Sequence, residues 1–254
     1  MRSPAQHIEC FHLSLLRMME ARLNRAGWVV KGGVNLRAWF GSRRYSEDLD
    51  LDAVGTAPHV LRGKFDKILL GRPLQDLLTS QGLEVVRISK PKQTDTTQRW
   101  KLELNAAGVS VPLRTKVEFS RRGTRDDEYL LEAARSDIVR PYGIPAPTVN
   151  HYTARSAIRQ KIHALASRSE TQARDVWDLD HLLRSTDADP RPLSDSVRNA
   201  LPAATERVLS LEYDVFKAQV VPYLSDEDQA TYGTRDAWDR MRELVVERLE
   251  EFAS

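Results

Sequence analysis

The sequence predicts a mixed α/β domain followed by an all-helical one, on three observations. Short alternating or β-branched segments mingle with helix-periodic ones up to about residue 140. The proline-dense stretch RPYGIPAPTVN, residues 140–150, interrupts that pattern, and nearly everything beyond it repeats at helical spacing. The charge changes at the same place: residues 1–147 hold 24 Lys and Arg against 17 Asp and Glu, whereas residues 148–254 hold 14 against 19. The expected domains are 1–147 and 148–254. A first half with an excess of seven positive charges suits a polyanionic partner.

Taken in order, Ser3-Pro4 reads as a cap and first turn, and Ile8, Phe11, Leu15, Met18 and Met19 recur at helical spacing, giving a helix over 4–26. Trp28-Val29-Val30 is a short buried strand entering Gly32-Gly33. Residues 34–40 form a short helix closed by Gly41, and 46–54 alternate as a strand. Residues 59–81 are helical, in one piece or broken at Gly71-Arg72-Pro73, and 83–89, 99–105 and 113–119 read as strands. The second half carries helices over 152–167, 174–183, 193–201, 211–221 and 236–252.

A chain of 254 residues with 41% hydrophobic content builds an ample core. No apolar run approaches the roughly 18 residues that span a bilayer, and the first residues are interrupted by Glu9, His12 and Arg17, unlike a secretion signal. No membrane association and a cytoplasmic location are expected. A lone Cys10 excludes an internal disulfide, and six dispersed histidines, His163 and His181 among them, lack metal-ligand spacing.

The chemistry is concentrated in KGGVNLRAWFGSRRYSEDLDLDA, residues 31–53. Asp48, Asp50 and Asp52 share one parity and Leu49, Leu51 and Ala53 the other. On a strand, alternate side chains leave the same face about 6–7 Å apart. Carboxylates that close repel one another, and a hard divalent cation such as Mg²⁺ relieves the repulsion. A solvent-facing acidic strand is the plain alternative. Upstream, Gly32-Gly33 lies where a strand gives way to a helix, a place where backbone N–H groups receive phosphate oxygens. A phosphate cradle beside a metal platform implies phosphoryl-group chemistry.

These residues carry a family likeness. Gly32-Gly33 followed by Arg44-Tyr45-Ser46-Glu47-Asp48-Leu49-Asp50 resembles the first motif of the AbiEii/AbiGii nucleotidyltransferase toxins, within the polymerase-β-like nucleotidyltransferase superfamily. Lys161-Ile162-His163-Ala164-Leu165-Ala166-Ser167-Arg168 looks like that family's K-x-x-A-x-x-x-R helix. Arg174-Asp175-Val176-Trp177-Asp178-Leu179 resembles its R-D-x-x-D-L element, so the motifs cover residues 28–183 in the expected order.

The resemblance implies an α/β (α+β) polymerase-β-like domain with a mixed sheet, followed by an all-α domain, and an enzyme that moves a nucleotide from a nucleoside triphosphate to an acceptor hydroxyl. Asp48, Asp50 and a third carboxylate, best supplied by Glu118 with Glu103 as competitor, would hold two Mg²⁺ ions. Gly32, Gly33 and Ser46 would contact phosphates, Arg44, Lys161 and Arg168 would offset their charge, and Asp175 would orient Lys161 or the acceptor. The plain alternative for the second-half residues is a helix–helix salt bridge, Lys161 with Asp175 or Arg168 with Asp178. The implied acceptor is RNA, the tRNA 3′ end, with a cognate antitoxin as partner; the basic charge of the first half puts Arg121, Arg122 and Arg125 on the path of such an RNA. A nucleotidyltransferase acting on a small molecule such as an aminoglycoside, or a non-catalytic binding or immunity module, are the rival readings.

Overall fold

The computed structural model describes residues 2–121, 127–186 and 188–254. The first helix, α1 (Pro4–Arg22), begins with a reciprocal cap: the Ser3 hydroxyl accepts the Gln6 N–H and the Gln6 side chain accepts the Ser3 N–H. It stops at Arg22, short of the expected 26, because the chain tightens into a 3₁₀ turn over Arg25–Gly27 under an Asn24 cap. Then come β1 (Trp28–Lys31), α2 (Gly32–Ala38) and β2 (Asp48–Ala53). Helices α3 (Pro58–Leu69) and α4 (Arg72–Ser80) are separate, since Pro73 has no N–H with which to continue α3 and instead suits the first turn of α4.

The strands β3 (Leu83–Gln93), β4 (Thr97–Ala106), β5 (Leu113–Ser120), β6 (Tyr129–Ala133) and β7 (Thr148–Tyr152) complete a seven-stranded sheet in the order β3-β4-β5-β2-β1-β7-β6, with the short helix α5 (Ser136–Val139) before β7. The sheet is mixed: β2 runs parallel to β5 and β1 parallel to β7, while the other neighbours are antiparallel.

Two strands were not read from the sequence. β6 lacks a buried face altogether, every residue being exposed, so it shows no alternation. β7 lies inside the stretch expected to be the domain junction; its prolines end at Pro147, and Thr148–Tyr152 then pairs with β1 and β6. The first compact unit therefore closes at Tyr152 and the second opens at Thr153, and the second also takes in Ser42–Arg44.

Within the first unit, Leu49 and Leu51 of β2, Val117 and Phe119 of β5 and Trp100 of β4 are buried together with Phe11 and Leu15 of α1 and Phe65 of α3. Phe65, Trp100 and Phe119 meet edge to face, with centroids 4.6–5.9 Å apart. The second unit is helical: α6 (Ala154–Ser167), α7 (Ala173–Ser185), α8 (Asp195–Ser210), α9 (Tyr213–Gln219), α10 (Asp226–Tyr232) and α11 (Arg235–Ala253). α8 runs through Pro202 to Ser210, because its buried stripe of Val197, Leu201, Ala204 and Val208 outweighs the hydrogen bond that the proline removes. Phe216 stacks on Trp238 at 4.7 Å in the core of this unit.

A fully buried histidine fixes the approach to β2. The ring Nε2–H of His12 donates to the Thr115 hydroxyl at 2.8 Å, and that hydroxyl donates to the Glu47 carbonyl at 2.6 Å, so α1, β5 and the turn into β2 are tied in one chain. Burial pushes the His12 pKa down from 6.5 to about 4, against a smaller opposing pull from Asp48. The unfolded chain therefore takes up a proton that the folded one refuses, and stability falls as pH drops from 6.5 through 4. The loss attributable to His12 is about 3 kcal/mol. Urea unfolding across that range should give a shallower acid slope for His12→Asn than for wild type; parallel slopes would mean that His12 is protonated in the fold.

Candidate active site

The strand register builds the polar face of the sheet row by row. Lys31 of β1 stands opposite Asp50 of β2, Asp50 opposite Glu118 of β5, and Glu118 opposite Arg99 of β4. The adjoining rows run Asp48, Lys116, Lys101 and Asp52, Ser120, Thr97. Leu49 and Leu51 point the other way, into the core.

Asp48 lies 2.9 Å from Lys116 Nζ. Asp52 is 3% exposed and takes Lys31 Nζ at 2.6 Å, Tyr152 Oη at 2.8 Å and the Ser120 hydroxyl. The carboxylate of Asp50, half-buried between them, makes no ion pair or hydrogen bond among the described residues. Burial raises its pKa; Lys116 and Lys31 pull it down, Asp48 and Glu118 push it up, and the net shift is upward. Two neighbouring oxygen donors, one without a counter-ion, fit a divalent cation of the Mg²⁺ type.

The expected third ligand is turned elsewhere. Glu118 shares the Asp50 row, but its carboxylate is held by Arg99 Nε at 2.5 Å. Glu103 lies on β4, two strands from β2, where it meets Arg114 at 3.5 Å and Arg87 at 4.0 Å. No group of three acidic, histidine or cysteine side chains is gathered for a metal among the described residues. Glu118 thus pairs with Arg99, its direct cross-strand neighbour on β4.

Gly32 is placed as its chemistry requires. Its φ of +67° is left-handed, and a Cβ there would stand 3.3 Å from Asp50 Oδ2. Gly33 is an ordinary helical residue, and no side chain caps the first turn of α2. The Ser46 hydroxyl donates to the Asp48 carbonyl at 2.8 Å and shapes the entry to β2.

The second unit carries a buried ion network. Lys161 Nζ reaches Asp175 at 2.8 Å and Asp178 at 2.5 Å, Arg168 Nε faces Asp175 at 2.9 Å, and Arg44 Nη2 reaches Asp178 at 3.1 Å. Both aspartates are fully buried. Burial works to raise Asp178, but Arg44 and Lys161 outweigh it and hold its pKa below the usual carboxylate range. The helix–helix salt bridge is thus real, with Arg168 on Asp175 and Arg44, rather than Arg168, on Asp178. Among the described residues Lys161 bridges the two aspartates, and its ammonium has a third N–H besides the two that meet them.

Arg121 Nη2 donates to Gln98 at 2.8 Å and to the Thr56 carbonyl, while its Nε and Nη1 find no hydrogen-bond partner among the described residues. Arg122 and Arg125 lie outside the described residues.

Against this geometry stand the likenesses to known proteins. The family model described as nucleotidyl transferase AbiEii toxin, type IV TA system, matches residues 14–252. No curated protein matches the chain in sequence. Among solved structures, JHP933 from Helicobacter pylori superposes with a TM-score of 0.61 at 18% identity, over 99% of this chain and 95% of its own. A putative nucleotidyltransferase from H. pylori gives 0.62 at 18%, over 99% and 98%. MenT4, a nucleotidyltransferase toxin from Mycobacterium tuberculosis, gives 0.62 at 19%, over 98% and 86%. At these identities the structural likenesses establish the fold.

Two stability effects follow from the charges. Asp50→Asn removes an uncompensated carboxylate and should raise Tm by about 2–4 °C at neutral pH. Since the folded pKa lies above 3.8, that gain should be full above the raised pKa and vanish below the ordinary one; a lower Tm at neutral pH would show that Asp50 is compensated. Lys161→Met leaves two buried aspartates to Arg44 and Arg168, and should cost about 3 kcal/mol or more. An unchanged thermal melt would return Lys161 to an exposed, weakly coupled state.

Proposed function

The chain belongs to the AbiEii family and is a nucleotidyltransferase toxin of a type IV toxin–antitoxin system; from that premise we propose that it carries a nucleoside monophosphate from a nucleoside triphosphate to an RNA hydroxyl, the tRNA 3′ end, with Mg²⁺ as its metal. The family description makes a nucleoside triphosphate the substrate and a cognate antitoxin the counterpart. In the proposed reaction the acceptor oxygen forms a bond to the α-phosphorus and pyrophosphate leaves. A tRNA so extended would no longer be aminoacylated, and translation would stop.

The observation that carries the site assignment is Asp50: a half-buried carboxylate without a counter-ion, beside Asp48, with the glycine backbone pressed so close that a Cβ would stand 3.3 Å from its oxygen. Asp48 and Asp50 would hold the metal, which when bound supplies charge to the phosphoryl oxygens and the leaving group. Gly32 and Gly33 present the uncapped N–H groups of α2 to phosphate. Ser46 and the His12–Thr115–Glu47 chain set the direction from which Asp48 enters the face. Lys161, Arg44 and Arg168 would offset phosphate charge, and Asp175 fixes the position of Lys161. Glu118 would serve through Arg99, outside the ligand set. No helix among the described residues is long and apolar enough to cross a membrane, in keeping with the cytoplasm, where charged tRNA is found.

The test is transfer of label from each α-labelled nucleoside triphosphate, with Mg²⁺ and total RNA. A labelled tRNA-sized band is expected, falling at least about a hundredfold with Asp48→Asn or Asp50→Asn. Full activity in either variant would remove the aspartates from the chemistry. Label found only on a small hydroxyl compound would replace the acceptor.

A further inference from the structure

Beside the aspartates, on the side of β2 away from Gly32, the sheet face opens into a groove of about 540 Å³ over β3, β4 and β5. Its lining includes Arg87, Ser89, Lys101, Arg114 and Lys116, and it ends at Asp48. One pairing in it is unfavourable by itself. Lys101 of β4 stands directly opposite Lys116 of β5, and like charges at that spacing destabilise a sheet. Lys116 is answered by Asp48, but Lys101 has no acidic partner within ion-pair distance among the described residues. Arg114 and Arg87 share the single carboxylate of Glu103, at 3.5 and 4.0 Å, and both guanidinium groups remain largely exposed. A solvated face would be expected to intersperse its signs evenly; here Arg87, Lys101 and Arg114 face the groove with Glu103 as the one acid among the described residues that meets them, while Glu47 and Asp48 lie at its β2 end.

Resting on the nucleotidyl-transfer reading, we infer that this groove binds the phosphodiester backbone of the acceptor strand, through Arg87, Lys101 and Arg114. Sheet order separates the two substrates. The glycine turn proposed for the triphosphate follows β1, on one side of β2, and the groove begins at β5, on the other. From β2 to β3 are three strand spacings, about 14 Å, so the groove spans several consecutive phosphates and not one group. Ser89, in the row of Lys101, adds a neutral donor to the same line. The path so defined differs from the one through Arg121, which is absent from the groove lining and whose Nη2 bonds Gln98 and Thr56.

The probe is a fluorescein-labelled 15-nucleotide single-stranded RNA, followed by anisotropy across a salt series, with a fluorescent ATP analogue plus Mg²⁺ as the second ligand. In Arg87→Gln/Lys101→Gln/Arg114→Gln the RNA affinity should fall at least tenfold. The slope of log affinity against log salt should flatten by roughly 2, about 0.7 for each phosphate that the protein no longer neutralises. Nucleotide affinity should stay within twofold. Lys101→Gln alone should flatten the slope by about 0.7, which keeps the test open if the triple variant folds poorly by its melting curve. Unchanged RNA affinity and slope in both variants would overturn the inference, as would a loss confined to the nucleotide, which would make the groove a triphosphate site. Wild type that binds no RNA yet transfers label to a small hydroxyl compound would also overturn it while leaving nucleotidyl transfer standing.

Discussion

The mutual repulsion of carboxylates on one strand is the constraint that the first unit is built around. Asp48, Asp50 and Asp52 leave β2 on the same face, and the neighbouring strands answer them unequally: Lys116 meets Asp48, Lys31 meets Asp52, and Asp50 is left. What makes this arrangement tolerable is the other face. Leu49 and Leu51 are fully buried, so a slip of one residue would drive aspartates into the core, and the register is locked by a hydrophobic cost far larger than the electrostatic one. Apolar packing thus dictates where the charges stand.

The two units treat buried charge differently. In the first, the Asp50 carboxylate lacks an ion-pair partner among the described residues. In the second, both buried aspartates are met by cations, Asp178 by Lys161 and Arg44 and Asp175 by Lys161 and Arg168. The lone carboxylate works against folding of its own unit and is of the kind that a cationic ligand would relieve. The supports differ as well. The aspartates are aimed by neutral hydrogen bonds, from His12 through Thr115 to the Glu47 carbonyl and from Ser46 to the Asp48 carbonyl. Lys161 is aimed by the carboxylates themselves.

The aspartate strand and the glycine turn were legible because both are local: parity along β2 and the φ that Gly32 needs are properties of a few adjacent residues. The alternation even placed the correct residues on the correct faces. Asp52 was harder, since it shares the parity of the metal candidates, and only the register shows that it meets Ser120 and Tyr152 instead. Glu118 was well placed by strand and row, yet its carboxylate answers to Arg99, on a strand whose register no local pattern fixes. Lys161 was expected to offset phosphate charge, with a salt bridge to Asp175 as the alternative, and its second acceptor, Asp178, was not foreseen; Arg44 lies 134 residues from Asp178, and such distant partners leave no periodic trace. The strands β6 and β7 escaped for the same kind of reason, one having no buried face and the other following a run of prolines.

Arg44 gives the molecule a history as well as a shape. Ser42–Arg44 belongs to the second compact unit although the residues on either side belong to the first. At a synthesis rate of about 5–20 residues per second, the 134 residues between Arg44 and Asp178 take roughly 7–27 seconds to appear. Through that interval the nascent chain holds a cation whose buried counterpart has not yet been made, and the helical unit cannot close around Asp178 without a piece contributed from near the start of the message. The two units are therefore not separable as beads on a string: a ribosome that stops between them leaves the first with a loose end, and a gene fragment encoding only residues 153–254 would ask two aspartates to be buried with one of their cations missing.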